Sequence, residues 1–320
     1  MSPLPDSLPQ AEEAVAGRSC PLDYTYAPRA FARGPDFSAN VLYVAGGLYG
    51  NIDALDAIET LVAAEPAVLV FNGDFHWLDA EPVWFAAVER RARRHRATRG
   101  NVETEIGRAQ DIGAGCGCAY RDSVSEDVVR RSNEIMAILR ASIPAAARAP
   151  LYSLPTHYVA CVGQLRVGIV HGDAHSVAGW DFAHDALDAP DARGALNETA
   201  RAAKVDVFAS THTGLPALRD FALPSGRLTI INNGGAGLPN FSATHFGVVT
   251  RIATAPSPHR PLYGIERNGV HIDAIAVPYD NAAFLERLRK RWPQGSPAYT
   301  SYYTRIVDGP DYTVAQAKPR

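Results

Sequence analysis

Short apolar runs that end in polar, glycine-containing turns recur along this sequence and constrain its fold more than any other feature. "VLYVA" runs into "GGLYGN" at residues 46–51, and "AVLVFNGD" ends at Asp74. Between them, "IDALDAIETL" carries its apolar residues at helical spacing. Later apolar runs end in "VHGDAHS", "STHTGLP" and "INNGGAG". Alternating strands and helices of this kind predict an α/β fold around buried sheets.

The chain divides into three parts. Residues 1–38 are rich in proline and polar groups and predict an arm with little core of its own. Residues 39–280 carry the alternation of strands and helices, and residues 281–320 predict a charged helix followed by a tyrosine-rich tail. Residues 104–150 interrupt the alternation with the glycine-rich "GAGCGC" and a predicted helix from Ser125 to about Arg140. This insertion is a candidate cap over a functional site.

Three local predictions are specific enough for a structure to test. The stretch from Trp77 to His95 predicts a helix, and "ATRGNVE" at residues 97–103 predicts a short strand that ends in a loop. Gly163 and Gln164 separate two alternating runs, and glycine at the first of two turn positions favours a type II′ hairpin.

Composition narrows the class of protein. A chain of 320 residues with 47% hydrophobic content can build one large domain or two modest ones. No run of 18 apolar residues occurs and the start lacks a secretory signal, so a cytoplasmic protein without membrane contact is expected. The four cysteines are too irregularly spaced for a disulfide framework and predict unpaired thiols: Cys20, Cys116, Cys118 and Cys161.

Charge gives little reason to expect a nucleic-acid partner, because the formal net charge is only −3. One arginine-rich stretch, "ERRARRHRATRG", stands out. It is either a binding patch for anionic substrates or a solvated helix face. The second interpretation is favoured, because most runs of charged residues form solvated helix faces. Its members are Arg90, Arg91, Arg93, Arg94, Arg96 and Arg99.

Four polar residues sit in the turns that follow predicted strands, where ligands of open sheets collect. They are Asp74, Asn101, His171 and His212. Together they offer one carboxylate oxygen, one amide oxygen and two imidazole nitrogens, a set that suits Mn, Fe or Zn better than Mg or Ca. Each residue alone is weak support for a metal site, whereas their order and spacing are more specific.

In chain order, "NGD", "RGNVE", "VHGD" and "THTGLP" resemble the signature of the calcineurin-like metallophosphoesterases, which reads D-x-H, G-D, G-N-H-E, H and G-H-x-H. The resemblance covers roughly residues 40–280. It implies a four-layer sandwich of two mixed β-sheets flanked by helices, with two metal ions at one end. It also implies that Asp74, Asn101, His171 and His212 hold one ion and that Asp74 is shared with the other.

Among the metal-binding positions, this sequence departs from the signature at one ion only, and it also lacks one catalytic histidine. Gly47 and Tyr49 stand where the family has the aspartate and histidine of D-x-H, and Gly214 stands where it has the last histidine. Val102 replaces the histidine of G-N-H-E, which in the family assists the phosphate or leaving group. The resemblance therefore implies at most one tightly held divalent ion, with Tyr49 occupying or lining the vacated position.

Three further residues share turns with the predicted ligands and are candidates for catalytic compensation: His76, Asp173 and His175. For each, a supporting or surface role is the alternative, because carboxylates routinely orient metal-bound imidazoles.

The predicted function is metal-dependent hydrolysis of a phosphate mono- or diester at a single-metal centre that uses Mn, Fe or Zn. One alternative is a weak or inactive member of the fold, with or without a metal, that binds a phosphorylated ligand or a partner. A dinucleotide fold with "GGLYGN" as a phosphate cradle is a second alternative, but the pattern G-x-G-x-x-G is absent. The tyrosine-rich tail is compatible with packing on its own domain or with a homo-oligomer.

Overall fold

The computed structural model describes residues 15–319, and β-strands form its centre. In chain order, the strands of this part of the chain are β1 (Phe37–Ala39), β2 (Val41–Ala45), β3 (Val68–Asn72), β4 (Arg96–Thr98), β5 (His157–Val162), β6 (Leu165–Val170), β7 (Val207–Ser210), β8 (Pro216–Leu223), β9 (Gly226–Asn233), β10 (Phe246–Ala253), β11 (Tyr263–Arg267) and β12 (Val270–Pro278).

Helices connect many of these strands and continue beyond the last one. They are α1 (Ile52–Val62), α2 (Pro82–Ala92), α3 (Asn101–Gly107), α4 (Glu126–Ser142), α5 (Ala145–Arg148), α6 (His184–Leu187), α7 (Ala192–Ala203), α8 (Asn281–Arg291), α9 (Pro297–Asp308) and α10 (Val314–Ala317). Among residues 15–319, no helix combines the length and the apolar character needed to cross a bilayer.

The strands form two six-stranded mixed sheets. One sheet has the order β1-β5-β6-β7-β9-β8, and the other has the order β11-β12-β10-β2-β3-β4. Within the first, β6, β7 and β9 are parallel neighbours, and within the second, β2, β3 and β4 are parallel neighbours. The expected pair of mixed sheets flanked by helices is confirmed.

The alternation of side chains along β2 shows how the layers pack. Leu42 and Val44 belong to the core between the two sheets, whereas Tyr43 and Ala45 belong to the core between the second sheet and its helices. Because both faces of the strand are covered, its apolar run is continuous rather than alternating. Burying each large side chain of this kind stabilises the fold by roughly 1.5–3 kcal/mol.

The hairpin prediction is confirmed, because β5 and β6 pair antiparallel around Gly163, which has a φ of +55°. The helix expected between residues 77 and 95 is shorter and spans Pro82–Ala92, and proline at its start fits the first helical turn. The prediction of a loop after the "RG" of residues 99 and 100 is wrong. Asn101 begins α3, since the Glu103 side chain accepts the Gly100 N–H at 2.9 Å and caps the helix.

The part of the N-terminal arm that the structure describes contributes to the core. Tyr24 and Phe31 are fully buried, and the Tyr24 hydroxyl donates to Glu105 Oε1 at 2.7 Å. Residues 1–14 lie outside the described residues. At the other end, the tyrosine-rich tail forms α9, which packs against α4 and α8 of its own chain.

Candidate metal centre

The strand order places the four predicted ligands at one end of the two sheets. Asp74 follows β3 and Asn101 follows β4, while His171 and His212 follow β6 and β7. Carboxyl ends of parallel neighbours lie at the same edge of a sheet, so the turns of both sheets meet there. His171 Nε2 lies 3.1 Å from Asn101 Oδ1, 3.1 Å from His212 Nδ1 and 3.3 Å from Asp74 Oδ1.

These separations fit a shared ion. Ligand atoms about 2.0–2.2 Å from one first-row metal lie roughly 3 Å from one another. Asp74, His171 and His212 form a group whose ligand atoms all lie within 4.8 Å of one another, and it is the one such group among residues 15–319. The donor set of two imidazoles, one carboxylate and one amide oxygen suits a borderline divalent cation.

Backbone carbonyls orient three of the four donors. His171 Nδ1 contacts the Asn72 carbonyl at 2.9 Å, and His212 Nε2 contacts the carbonyl of Cys118 at 3.2 Å. The amide nitrogen of Asn101 donates to the Cys116 carbonyl at 3.0 Å. A ring nitrogen that donates to a carbonyl leaves a lone pair on the other nitrogen, so this pattern directs His171 Nε2, His212 Nδ1 and Asn101 Oδ1 toward the centre.

Glu103 supports this centre and was not among the residues predicted to build the site. Its carboxylate accepts the N–H groups of Asp74 at 2.7 Å, Phe75 at 3.0 Å and Gly100 at 2.9 Å. Asp74 has a φ of +55°, a conformation that costs a non-glycine residue about 1–2 kcal/mol. Glu103 therefore holds the ligand loop in a strained shape. The capping position of Glu103, three residues after Gly100, is the sequence signal that could have identified it.

Burial and mutual charge shift the pKa values in the centre. Burial and the neighbouring His171 lower the pKa of His212 to about 3. Burial and the Asp74 carboxylate raise the pKa of Glu103 to about 7. For Asp74 and His171, burial opposes charge, but their mutual attraction dominates, so the pKa of Asp74 is lowered and that of His171 is raised.

The vacated positions adjoin this centre. Gly47 has a φ of +65°, and a Cβ added to it would lie 2.9 Å from Cε2 of the Tyr49 ring. Tyr49 is buried, and burial raises the pKa of its hydroxyl to about 12, so it stays protonated at neutral pH. A Cβ added to Gly214 would lie 3.3 Å from Nη1 of Arg305, a residue of α9. Tyr49 and Arg305 thus stand beside the backbone that bears ligands in the family.

A cavity of about 50 Å³ opens beside the predicted ligands and the vacated positions. It is bounded by three of the predicted ligands together with several aromatic residues. Its lining residues are Tyr49, Asp74, Trp77, Asn101, Val102, Cys118, Tyr120, Trp180, His212 and Tyr302. Residues from the insertion and from α9 therefore help to bound the cavity, although no local pattern in the sequence marked them. None of the six clustered arginines is among these lining residues.

The three candidates for catalytic compensation have hydrogen-bond partners other than the four predicted ligands. His76 is fully buried, with Nδ1 at 2.8 Å from Asp79 and Nε2 at 3.1 Å from Glu89. Asp173 accepts the N–H groups of His175 at 2.8 Å and of Ser176 at 3.0 Å within its own loop.

His175 is exposed and contacts Thr199 Oγ1 at 3.4 Å. It is not among the residues that line the cavity.

One expectation about the insertion is wrong. Cys116 and Cys118 are joined by a disulfide, with their Cα atoms 5.4 Å apart, whereas their spacing had predicted unpaired thiols. The reason is local backbone geometry, since Gly117 between them has a φ of +65° and turns the chain back on itself. The carbonyls of both cysteines contact side chains of predicted ligands, Asn101 and His212, so this turn of the insertion adjoins the candidate centre.

Comparison with known proteins gives structural neighbours only. No protein-family model and no curated protein matches the sequence. A hypothetical protein from Pyrococcus horikoshii OT3 is similar with a TM-score of 0.55 and 16% identity, over 85% of this chain and 99% of its own. A metallophosphoesterase from Sphaerobacter thermophilus is similar with a TM-score of 0.52 and 18% identity, over 84% of this chain and 100% of its own. The chain therefore has the fold of the calcineurin-like metallophosphoesterases.

Proposed function

We propose that the protein is a phosphoesterase that depends on one divalent transition metal and hydrolyses a phosphate mono- or diester. One observation carries the proposal: four lone-pair donors surround one point, and backbone carbonyls fix three of them in the orientation that binding requires. Asp74, Asn101, His171 and His212 would hold the ion. Mn, Fe and Zn are the metals that this donor set favours.

A divalent ion held by these four residues would lower the pKa of a bound water and neutralise charge on a phosphoryl oxygen. The side chains of the protein itself would position the ion and shield the site. Glu103 fixes the Asp74 loop, and the aromatic walls of the cavity limit the access of bulk water. We give His76, Asp173 and His175 supporting rather than catalytic roles, because their hydrogen-bond partners lie outside the set of four ligands and none of the three lines the cavity.

Val102 limits the reaction to good leaving groups. It lines the cavity where the family has an acidic histidine, and its isopropyl group has no proton to donate. A positioned acid contributes about a hundred- to ten-thousand-fold to a rate. Activated aryl phosphates should therefore be cleaved best, and the rate should fall steeply as the leaving group becomes more basic.

The test is hydrolysis of aryl phosphates and bis-aryl phosphodiesters with added Mn²⁺. Wild type is compared with Asp74→Asn and His212→Ala, and both variants should lose at least about a hundredfold in kcat/KM, or ~2.7 kcal/mol of transition-state stabilisation. His245→Ala is the matched control, because His245 is exposed and contacts the Val307 carbonyl on α9 at 2.8 Å.

Equal residual rates in all four proteins would show that the turnover is a contaminant, and a protein that binds a phosphorylated ligand without cleaving it would then be the better account. A hundredfold loss in His175→Ala would instead restore the catalytic role expected for that residue from the sequence. Val102→His should raise the rate selectively on basic leaving groups.

A further inference from the structure

The vacated half of the site, defined as the positions of Gly47, Tyr49 and Gly214, is bordered by an arginine from the far end of the chain. Arg305 lies on α9, and its Nη2 donates to the Gly214 carbonyl at 2.6 Å while its Nε donates to the Pro239 carbonyl at 3.0 Å. Its Nη1 is 3.3 Å from the point where a Gly214 Cβ would lie. The guanidinium is thus fixed against the backbone that bears a metal-binding histidine in the family.

Arg305 has no carboxylate within 4.0 Å in the part of the chain from residue 15 to residue 319. Buried arginines elsewhere in this protein do have such partners, as Arg267 has Asp206 and Arg219 has Asp188. Two backbone carbonyls orient Arg305 without neutralising it. Its positive charge is therefore available to an anion that enters the site.

Two tyrosines complete this half with hydroxyl groups. Tyr302 precedes Arg305 by one helical turn and lines the cavity together with Tyr49, with their ring centroids 5.9 Å apart. Trp77 Nε1 donates to the Tyr302 hydroxyl at 2.5 Å. Because that oxygen already accepts a hydrogen bond, its own proton is free to be donated to another group.

The exchange of side chains changes which ion this half can bind. The aspartate and two histidines of the family signature offer lone pairs, which a cation requires. Arginine has no acceptor, and a protonated tyrosine hydroxyl and a guanidinium both offer hydrogen-bond donors, which phosphoryl oxygens require. The residues present here do not fit a second metal ion, and they do fit an anion.

We propose that the vacated half is a phosphate-binding subsite in which Arg305, aided by the hydroxyls of Tyr302 and Tyr49, takes over the anion-neutralising role of the missing first metal. The inference rests on the proposed function, since it places the phosphoryl group of the substrate beside the ion held by Asp74, Asn101, His171 and His212. Arg305 does not itself line the cavity in this structure, but its Nη1 makes no hydrogen bond to the carbonyls of Gly214 and Pro239. In this proposal Nη1 contacts a substrate oxygen, which makes Arg305 a catalytic residue.

The experiment measures binding of inorganic phosphate by calorimetry, with the full chain in Mn²⁺-loaded and in metal-free form. Arg305→Met should weaken phosphate binding about ten- to a hundredfold in both forms, because one charge-assisted contact has that value. The Mn²⁺ stoichiometry should stay at the wild-type value. Arg305→Lys keeps the charge but loses the planar fork, so an intermediate loss is expected.

Arg131→Met is the matched control. Arg131, a residue of α4, also contacts α9, by donating to Ser301 Oγ at 3.0 Å, but unlike Arg305 it makes no hydrogen bond to Gly214. Loss of phosphate binding in Arg305→Met but not in Arg131→Met assigns the effect to the subsite rather than to helix packing. If Arg305→Met does not fold, the comparison of Arg305→Lys with Arg131→Met decides the same question.

The outcomes separate this inference from the proposed function. Unchanged phosphate affinity in the Arg305 variants, or no phosphate binding by wild type, would overturn the subsite. A wild type that binds phosphate through Arg305 but binds no Mn²⁺ and hydrolyses no ester would support the subsite and overturn the proposed enzyme. Mn²⁺ binding with a stoichiometry of two would overturn the inference, because the vacated half would then hold a cation.

Discussion

The retained half of the site, made of Asp74, Asn101, His171 and His212, and the vacated half lie side by side at one end of the two sheets but differ in chemistry. In the retained half, backbone carbonyls use up the N–H groups of three side chains and leave lone pairs for a cation. In the vacated half, the hydroxyl of Tyr49 and the guanidinium of Arg305 offer hydrogen-bond donors beside Gly47 and Gly214. The difference suggests that one half was rebuilt for another ligand, since scattered loss of residues would have affected both.

The backbone of the two halves is more alike than their side chains. Asp74 and His212 have φ values of +55° and +36°, and Gly47, Tyr49 and Gly214 have values of +65°, +57° and +74°. Non-glycine residues in this region cost about 1–2 kcal/mol each. The loops therefore keep unfavourable conformations in both halves, and such strain persists only where the surrounding structure holds it.

The largest effect should follow the loss of a ligand from the retained half. His171→Ala removes the imidazole that contacts the other three donors, so bound Mn²⁺ should fall from one equivalent to none. Tyr49→Phe, in the vacated half, should keep one equivalent. Mn²⁺ at about a hundred times its Kd should raise the free energy of unfolding of wild type by ~2.7 kcal/mol and leave His171→Ala unaffected.

Metal analysis and urea unfolding check this prediction. Retention of one tightly bound ion by His171→Ala would show that another group of side chains binds the metal. The retained half would then not be the cation-binding half of the site.

Glu103→Gln tests the support of the retained half. The carboxylate accepts three backbone N–H groups, and an amide presents one oxygen acceptor and two donors of its own, so at least one buried N–H loses its partner. The free energy of unfolding should fall by roughly 2–3 kcal/mol. Because the Asp74 loop loosens, Mn²⁺ affinity should also fall about ten- to a hundredfold.

The matched control is Glu134→Gln, because the Glu134 side chain is exposed and pairs with the exposed Arg130. It should change stability by no more than about 0.5 kcal/mol. Equal behaviour of the two variants in urea unfolding and in Mn²⁺ titration would remove Glu103 from the description of the site.

Restoring metal ligands to the vacated half should destabilise the protein, and Gly47→Asp tests this expectation. The new Cβ would lie 2.9 Å from the Tyr49 ring at a residue with positive φ, so the free energy of unfolding should fall by about 1–2 kcal/mol. Adding Tyr49→His removes part of that contact and should recover part of the loss. Neither protein should bind a second ion, because Arg305 still stands beside Gly214.

Thermal unfolding and metal analysis of the single and double variants measure these effects. A second equivalent of metal in the double variant would show that restoring two side chains is enough to bind a second ion. Arg305 would then not prevent metal binding in the vacated half.

The smallest effect should come from the disulfide that borders the retained half. Reducing the bond between Cys116 and Cys118 leaves both carbonyls in the chain but removes a restraint on their positions. Mn²⁺ affinity should fall by less than about tenfold. In the double variant Cys116→Ser, Cys118→Ser, a reductant should have no further effect on calorimetric Mn²⁺ binding, and an effect of equal size there would assign the change to another thiol.

The sequence alone determined the parts of this protein that are local or ordered along the chain. Apolar runs that end in polar turns predicted the strands that carry the site, and glycine at position 163 predicted the hairpin turn, because periodicity and turn chemistry are properties of neighbouring residues. In chain order, the turns of Asp74, Asn101, His171 and His212 resemble the metallophosphoesterase signature, and that resemblance implied the fold.

Only the tertiary structure decided what surrounds those residues. Arg305 reaches Gly214 across 91 positions of sequence, and no local pattern links an arginine in a tyrosine-rich tail to a glycine after a strand. The cysteine carbonyls that orient Asn101 and His212 are backbone groups, which have no signature in the sequence. Contacts of this kind depend on how separate elements pack, and packing is fixed by the whole core rather than by any one stretch of the chain.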